Sequence, residues 1–217
     1  MISLYHCSDA RSFRPLWALE EAEVDYQLHI LPFPPRVRDK SYLEINPLGT
    51  IPAFFDGETR MTESAAIVEY IAARYAPGRL SLLTDEDEFG RYLNYLHFGE
   101  ATLTFPQTLI LRYAMFEPAE RRQPQVAQDY RQWFLARLSG IASALSDGRD
   151  WLCRARFSGA DISVGYALLL ADMLKMGDAF PGPVGAYWDR LQARPGFQRA
   201  KAAQAKAMAE KGLGPTL

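Results

Sequence analysis

The sequence has few cysteines, no long apolar run and no basic, apolar leader. Only Cys7 and Cys153 occur in 217 residues, too few for a disulfide framework or a cysteine-rich metal cluster. The longest apolar run, residues 164–174, contains Asp172 and is too short to span a bilayer. The first residues lack the features of a signal peptide. We therefore expect a cytoplasmic protein with no metal and no membrane partner.

The chain also lacks an excess of charge of either sign. It carries 24 Lys and Arg against 26 Asp and Glu, a formal net charge of −2, which gives no electrostatic reason to expect nucleic acid as a partner. Hydrophobic residues make up 48% and charged residues 23%, as in ordinary globular proteins. The tail from residue 199 is mildly basic, and we interpret it as a solvated helix face.

Two parts of the chain differ in periodicity. Residues 1–79 alternate strand-like and helix-like segments in the order βαβαββα, which predicts a small α/β domain with a mixed sheet. Residues 87–217 show helical periodicity interrupted by Gly- and Pro-containing turns, which predicts an all-helical second domain. Residues 76–86 are the predicted linker.

Two stretches of the first part are suited to binding a small peptide. Pro52 precedes a predicted strand, and a cis bond there would turn the Ile51 backbone groups outward, where an extended peptide can add as a strand. Glu63 and Ser64 start a predicted helix, where free N–H groups favour a carboxylate and the Glu63 side chain can accept an ammonium group. An ordinary trans proline and plain helix capping are the alternatives.

Three segments carry a family resemblance. NPLGTIPAFFDGETRMTESAAIVEYIAARY, residues 46–75, resembles the N-P-x-G-x-V-P … T-E-S-x-A-I-x-x-Y-L segment of cytosolic glutathione transferases. RSFRPLWALEEAEVDYQL, residues 11–28, resembles the first helix of bacterial members of that family. FSGADISVGYALL, residues 157–169, is similar to a helix start of the family's second domain, where Ser158 and Asp161 would form a capping box.

The resemblance implies a thioredoxin-like N-terminal domain that binds glutathione, an all-α helical-bundle C-terminal domain, and a homodimer. Carried over by position, it makes Pro52 cis, pairs the Ile51 backbone with the cysteinyl part of glutathione and places Thr50 against the peptide. Glu63 and Ser64 would hold the γ-glutamyl head. The glycine carboxylate would meet one of three basic residues: Arg36, Arg38 and Lys40.

Such an enzyme must stabilise the thiolate of glutathione, because a free thiol with a pKa near 8.5 is mostly protonated at pH 7. The family places a donor between the first strand and first helix, and Ala10 occupies the serine position of serine-type members. We rank Ser12 first as the catalytic donor, with Arg11 as its electrostatic partner; an N-cap role is the alternative for Ser12. The remaining candidates are Ser8 and the backbone N–H groups of residues 10–12.

The neighbouring His6 and Cys7 are predicted to be structural. Cys7 ends a strand and is interpreted as a small buried hydrophobe; mixed-disulfide chemistry follows if it reaches the ligand. A dithiol mechanism is disfavoured because Ala10 stands where a second cysteine would be needed. His6 is expected to pack between elements rather than act as a base.

The helical half is rich in aromatic residues between positions 91 and 116. Most of them are expected to serve the core and the dimer interface, whereas Phe105, Gln107 and Tyr113 are predicted to line a cleft for a hydrophobic second substrate, shaped by a kink at Pro106. The prediction is a glutathione transferase acting on a small electrophile, with glutathione as co-substrate. A glutathione-dependent thiol, disulfide or peroxide reductase and a non-catalytic glutathione-binding protein stay open.

Overall fold

The computed structural model describes residues 1–153 and 156–214, which belong to two compact units. The first unit contains residues 1–83 together with the C-terminal stretch from residue 192, and the second contains residues 84–191. The domain boundaries taken from the sequence, at residues 79 and 87, stay predictions. In the described part of the chain, every helix is too short or too polar to cross a membrane.

The first unit is built on a four-stranded mixed sheet. Its strands are β1 (Ile2–His6), β2 (Tyr26–Ile30), β3 (Ala53–Asp56) and β4 (Thr59–Met61). In the order β2-β1-β3-β4, β1 and β2 are parallel, and β3 is antiparallel to both β1 and β4. The helices are α1 (Phe13–Ala22), α2 (Pro35–Arg38), α3 (Tyr42–Ile45), α4 (Ser64–Tyr75) and α10 (Pro195–Lys211). The predicted thioredoxin-like order is confirmed, with the second helix divided into the short α2 and α3.

Helix α1 forms the centre of the first unit, because α4 and α10 both pack against it. Leu16, Trp17 and Leu19 are fully buried. At the end of α1, Glu21 accepts hydrogen bonds from Trp17 Nε1 at 3.0 Å and from Arg194 Nε and Nη2, each at 2.7 Å. A Cβ on Gly196, the second residue of α10, would lie 2.5 Å from Glu21 Cδ, so the absence of a side chain there lets α10 approach the end of α1.

The second unit is helical throughout its described residues. Its helices are α5 (Phe89–His97), α6 (Phe105–Leu111), α7 (Pro124–Ala144), α8 (Gly159–Met173) and α9 (Gly182–Gln192), with π-helical segments Phe98–Thr104 and Arg112–Phe116 and 3₁₀ turns Ala119–Arg121 and Gly177–Ala179. The predicted capping box starts α8: Ser158 N–H donates to Asp161 Oδ2 at 2.9 Å. The prediction of a helical C-terminal part is confirmed.

The π-helical segment Phe98–Thr104 lies where α5 packs on α8. A Cβ on Gly99 would lie 2.5 Å from the Ser163 carbonyl carbon, so only glycine permits this approach. Ser163 Oγ donates to Leu96 O at 2.6 Å, which anchors the two helices to each other. Pro106 follows at the start of α6 and has no N–H for the helical ladder. The irregularity expected near Pro106 is thus a widened helical turn directly before it.

Candidate functional site

One end of the sheet collects the segments that the sequence singled out. The parallel strands β1 and β2 end on the same side, so the loops that follow them leave the sheet together. Tyr5 pairs with Ala53, which places the start of β3 beside the end of β1. Phe54 pairs with Met61, so β4 runs back toward the same end and leads into α4. The β1–α1 loop, the turn before β3 and the β4–α4 junction are therefore neighbours.

The turn before β3 contains the cis bond that the resemblance implied, between Ile51 and Pro52. Thr50 is exposed, and its carbonyl oxygen accepts hydrogen bonds from Tyr42 O–H at 2.7 Å and from Asn46 Nδ2 at 2.8 Å. Ile51 is half-buried against a small apolar cluster that includes Cys7. Hydrogen bonds from Tyr42 and Asn46 therefore fix the turn, while Thr50 itself is exposed to solvent.

At the start of α4 the two predicted head-group residues differ in environment. Glu63 is exposed, occupies the N-cap position and makes no side-chain capping bond. Ser64 is only 4% exposed, and its Oγ accepts a hydrogen bond from Nη1 of the fully buried Arg14 at 3.2 Å. Because Arg14 supplies that proton, the Ser64 hydroxyl keeps its own proton for another acceptor.

The three basic residues after β2 are all exposed. Arg38 differs from Arg36 and Lys40 because it lines a cavity of about 190 Å³ together with Ser8, Phe33 and Met208. Among the described residues, no hydrogen bond or ion pair engages the Arg38 guanidinium. Of the three candidates for a ligand carboxylate, Arg38 has the best placement.

Ser12, the first-ranked donor, lies inside the protein. It is fully buried, and its Oγ accepts the Cys7 N–H at 3.2 Å and lies 2.8 Å from His6 Nδ1. The other imidazole nitrogen, Nε2, lies 3.0 Å from Gln204 Oε1, which can only accept, so Nε2 carries the proton and Nδ1 accepts from the Ser12 hydroxyl. That hydroxyl proton is committed to His6, and this argues against Ser12 as the donor to a bound thiol.

The N-cap alternative for Ser12 does not describe its side chain either, since the residue makes no side-chain capping bond to α1. The short hydrogen bond to His6 and the bond from the Cys7 amide tie the helix start back to the end of β1. Ser12 therefore fixes the loop. Ser8 is 5% exposed, and its Oγ donates to Asp9 Oδ2 at 3.5 Å. Arg11, partly exposed at the same junction, is the side-chain candidate best suited to stabilising a thiolate.

His6 and Cys7 are buried, as expected. Burial lowers the pKa of His6 to about 4, so the imidazole is neutral at pH 7. Burial raises the pKa of the Cys7 thiol to about 12, and its Sγ donates to Pro32 O at 3.7 Å. A protonated, buried thiol is a poor nucleophile. Across residues 1–153 and 156–214, no group of three or more His, Cys, Asp or Glu side chains is arranged to hold a metal ion.

The residues predicted for the second substrate lie in the second unit and do not share one environment. Gln107 is fully buried, and its side-chain amide donates to Leu103 O at 3.1 Å and Ala167 O at 2.9 Å, so it fills the core and is not accessible to a substrate. Phe105 is 55% exposed and lines a groove between α6 and α7 with Trp133. Tyr113 is half-buried in the π-helical segment after α6.

Sequence reasoning missed the part played by the C-terminal helix. Gln204 of α10 is 3% exposed and contacts both His6 and the backbone amide of Asp9. Phe197, Ala200 and Gln204 are buried with spacings of three and four residues, a pattern that marks one packed helix face. The spacing of these residues is the feature of the sequence from which the packing of α10 could have been predicted.

Comparison with known proteins agrees with this architecture. Residues 1–73 match the family model described as glutathione S-transferase, N-terminal domain. Glutathione S-transferase 3 of Schizosaccharomyces pombe is 34% identical over 103 residues, which cover 48% of this chain and 43% of the yeast protein. The glutathione S-transferase-like protein tpcF of Aspergillus fumigatus is 26% identical over 87% of this chain and 90% of its own length.

Solved structures extend the likeness over both units. A glutathione transferase from Methylococcus capsulatus superposes with a TM-score of 0.81 at 25% identity, covering 95% of this chain and 100% of that one. A glutathione transferase from Phanerochaete chrysosporium, with a TM-score of 0.82 at 22% identity, shows the same fold over 95% of this chain. A thioredoxin-like unit combined with a helical unit is the architecture that this chain shares with those glutathione transferases. Residues 1–73 thus match the N-terminal domain of glutathione S-transferases, and the chain as a whole has the fold of solved glutathione transferases.

Proposed function

We propose that this protein is a glutathione transferase that binds glutathione at the end of the sheet in its first unit. The observation that carries the proposal is the meeting of the cis Ile51–Pro52 turn, the β1–α1 loop and the start of α4 at that end. The names of its relatives, which are glutathione S-transferases, support the same ligand.

Each part of glutathione has a partner of suitable chemistry. The Ile51 backbone, beside Pro52, pairs with the cysteinyl part as an added strand. Glu63, exposed at the N-cap, accepts from the α-ammonium group, and the Ser64 hydroxyl donates to the α-carboxylate because Arg14 already supplies the proton that Ser64 Oγ accepts. The exposed guanidinium of Arg38 meets the glycine carboxylate.

The chemical step is ionisation of the thiol followed by nucleophilic attack. Lowering a thiol pKa by two units requires about 2.7 kcal/mol of differential stabilisation, within reach of a guanidinium such as Arg11 beside the N-terminus of α1. The thiol proton goes to solvent, the sulfur forms a bond to an electrophilic carbon, and the carbon–halogen bond, for example, breaks with its electron pair leaving on the halide.

The proposal includes a cytoplasmic homodimer and an apolar second substrate. Support for an association surface comes from large apolar side chains exposed on the second unit: Met115, Phe116 and Trp133. Phe105 and Tyr113 stay the predicted contacts of the second substrate. The electrophile is small and apolar in this proposal.

Turnover of a chlorinated nitrobenzene by the purified protein with glutathione tests the function. Release of chloride with formation of the glutathione conjugate supports the transferase, whereas retention on immobilised glutathione without turnover favours the binding protein. Turnover of a mixed disulfide that is lost in Cys7→Ala favours the reductase; the burial of Cys7 speaks against that outcome.

A further inference from the structure

The C-terminal helix α10 reaches the β1–α1 loop through a chain of polar contacts inside the first unit. Residues 7–10 form a tight turn, in which Ala10 N–H donates to Cys7 O at 3.2 Å. Asp9 is the third residue of this turn and has φ of 53°, in the left-handed region. An aspartate occupies that region less readily than glycine, so its conformation depends on the contacts that hold it.

Those contacts come from two residues of α10. Gln204 Oε1 accepts the Asp9 N–H at 3.2 Å, and Gln204 Nε2 donates to Asp9 Oδ1 at 2.7 Å. Lys201 Nζ donates to the same Oδ1 at 2.8 Å. Gln204 thus hydrogen-bonds to both the backbone and the side chain of Asp9, and Lys201 forms an ion pair with the Asp9 carboxylate.

The same Gln204 oxygen continues the chain to Ser12. It lies 3.0 Å from His6 Nε2, and His6 Nδ1 lies 2.8 Å from Ser12 Oγ. Asp9 precedes Arg11 by two residues and Ser12 follows it by one. Both sides of Arg11 are therefore tied, directly or through His6, to one amide side chain that is 3% exposed.

We propose that Gln204 and Lys201 are positioning residues of the C-terminal helix that hold the β1–α1 loop so that Arg11 stands against the glutathione thiol. The inference deepens the proposed function and rests on it. Neither residue touches the ligand; each acts through Asp9, and Gln204 also acts through His6 and Ser12. Without the hydrogen bonds from Gln204 and Lys201, the β1–α1 loop loses its fixed geometry and stabilises the thiolate less. The binding contacts at Ile51, Glu63 and Ser64 are unchanged.

The test compares Gln204→Met with Gln198→Met, the same substitution at an exposed position of the same helix. In Gln204→Met we expect kcat at pH 6.5 to fall about tenfold and the acid limb of the kcat profile to move up by about one pH unit, because that limb reports the bound thiol. The KM for glutathione stays within about threefold. Gln198→Met is expected to match the wild type in kcat at pH 6.5, in the position of the acid limb and in the KM for glutathione.

Two further variants keep the proposal testable if Gln204→Met does not fold. Lys201→Met is expected to move the acid limb in the same direction by about half as much. Asp9→Asn, which keeps an Oδ1 acceptor and tolerates the left-handed backbone, moves it less than Asp9→Ala.

Three outcomes overturn the inference. The first is a folded Gln204→Met with an unchanged kcat profile. The second is a rise in the KM for glutathione with kcat and its pH dependence unchanged, which would assign α10 to binding. If Gln204→Met does not fold, the third is an unmoved acid limb in Lys201→Met and Asp9→Ala. A wild-type protein that binds no glutathione and turns over no electrophile instead removes the proposed function, and the inference with it.

Discussion

Arg14 and Ser64 meet inside the first unit, where the buried guanidinium Nη1 donates to the Ser64 hydroxyl oxygen at 3.2 Å. This contact joins the start of α1 to the start of α4, the two helices whose N-termini lie at the candidate site. It also leaves the Ser64 hydroxyl proton for a ligand. In the proposed complex, a contact within the fold and a contact with glutathione therefore use the same side chain.

Ser64→Ala is expected to raise the dissociation constant for glutathione about tenfold, since a hydrogen bond to a carboxylate contributes about 1.5–3 kcal/mol. Calorimetric titration with glutathione measures the effect. The exposed Ser139→Ala on α7 serves as control, because Ser139 bonds only locally, to Ala136 O. Equal affinities of Ser64→Ala and wild type would remove Ser64 from the site.

Arg11→Met is expected to lower kcat by about 10- to 100-fold, the size of a lost charge-assisted hydrogen bond. Ser12→Ala lowers kcat less than Arg11→Met does, by no more than about tenfold, and lowers the melting temperature, because the Ser12 hydroxyl bonds to His6 and to the Cys7 amide and so positions the loop. Lys206→Met, an exposed position on α10, controls for the loss of one positive charge. Loss of turnover in Ser12→Ala, with Arg11→Met unaffected, would restore Ser12 as the donor.

His6 makes stability depend on pH. Burial lowers its pKa from 6.5 to about 4 in the folded state, so the unfolded chain binds the extra proton in that window and stability falls as the pH drops from about 6.5 to about 4. The loss is on the order of 3 kcal/mol. We expect the difference in unfolding free energy between wild type and His6→Gln, measured in urea, to shrink by that amount across the window. Parallel curves for the two proteins would exclude this role.

Gly99→Ala is expected to destabilise the protein by about 1–3 kcal/mol, because the new Cβ would lie 2.5 Å from the Ser163 backbone. Gly140→Ala, in the interior of α7, is the matched control: its Cβ would lie 3.6 Å from Phe98 Cζ, an ordinary contact. The control gains about 0.5–1 kcal/mol from helix propensity. Urea midpoints measure the stability of both variants. A Gly99→Ala protein as stable as wild type would contradict the close packing of the π-helical segment Phe98–Thr104 on α8.

The sequence predicted those features that depend on local chemistry. Periodicity and turn residues gave the βαβαββα order and the helical second part, and Ser158 with Asp161 gave the capping box that starts α8. The cis geometry at Pro52 came from the resemblance, because the residues alone favour a trans bond.

Features that depend on distant packing could not be predicted in this way. The sequence does not indicate that the Ser12 hydroxyl bonds to His6, since a serine directly before a helix also suits an ordinary N-cap. Gln107 has the polarity of a site residue, but it is buried in the core, where its Nε2 donates to the carbonyls of Leu103 and Ala167. The spaced basic residues of the tail predict a solvated helix face, yet Lys201 binds Asp9, which lies 192 positions earlier in the sequence.

The central claim is that this protein binds glutathione and favours its thiolate. Titrating the protein with bound glutathione from low to high pH, and following the ultraviolet absorption of the thiolate, measures this directly. We predict a thiol pKa about two units below that of free glutathione, and a return toward the free value in Arg11→Met. Bound glutathione that titrates like free glutathione would contradict the account.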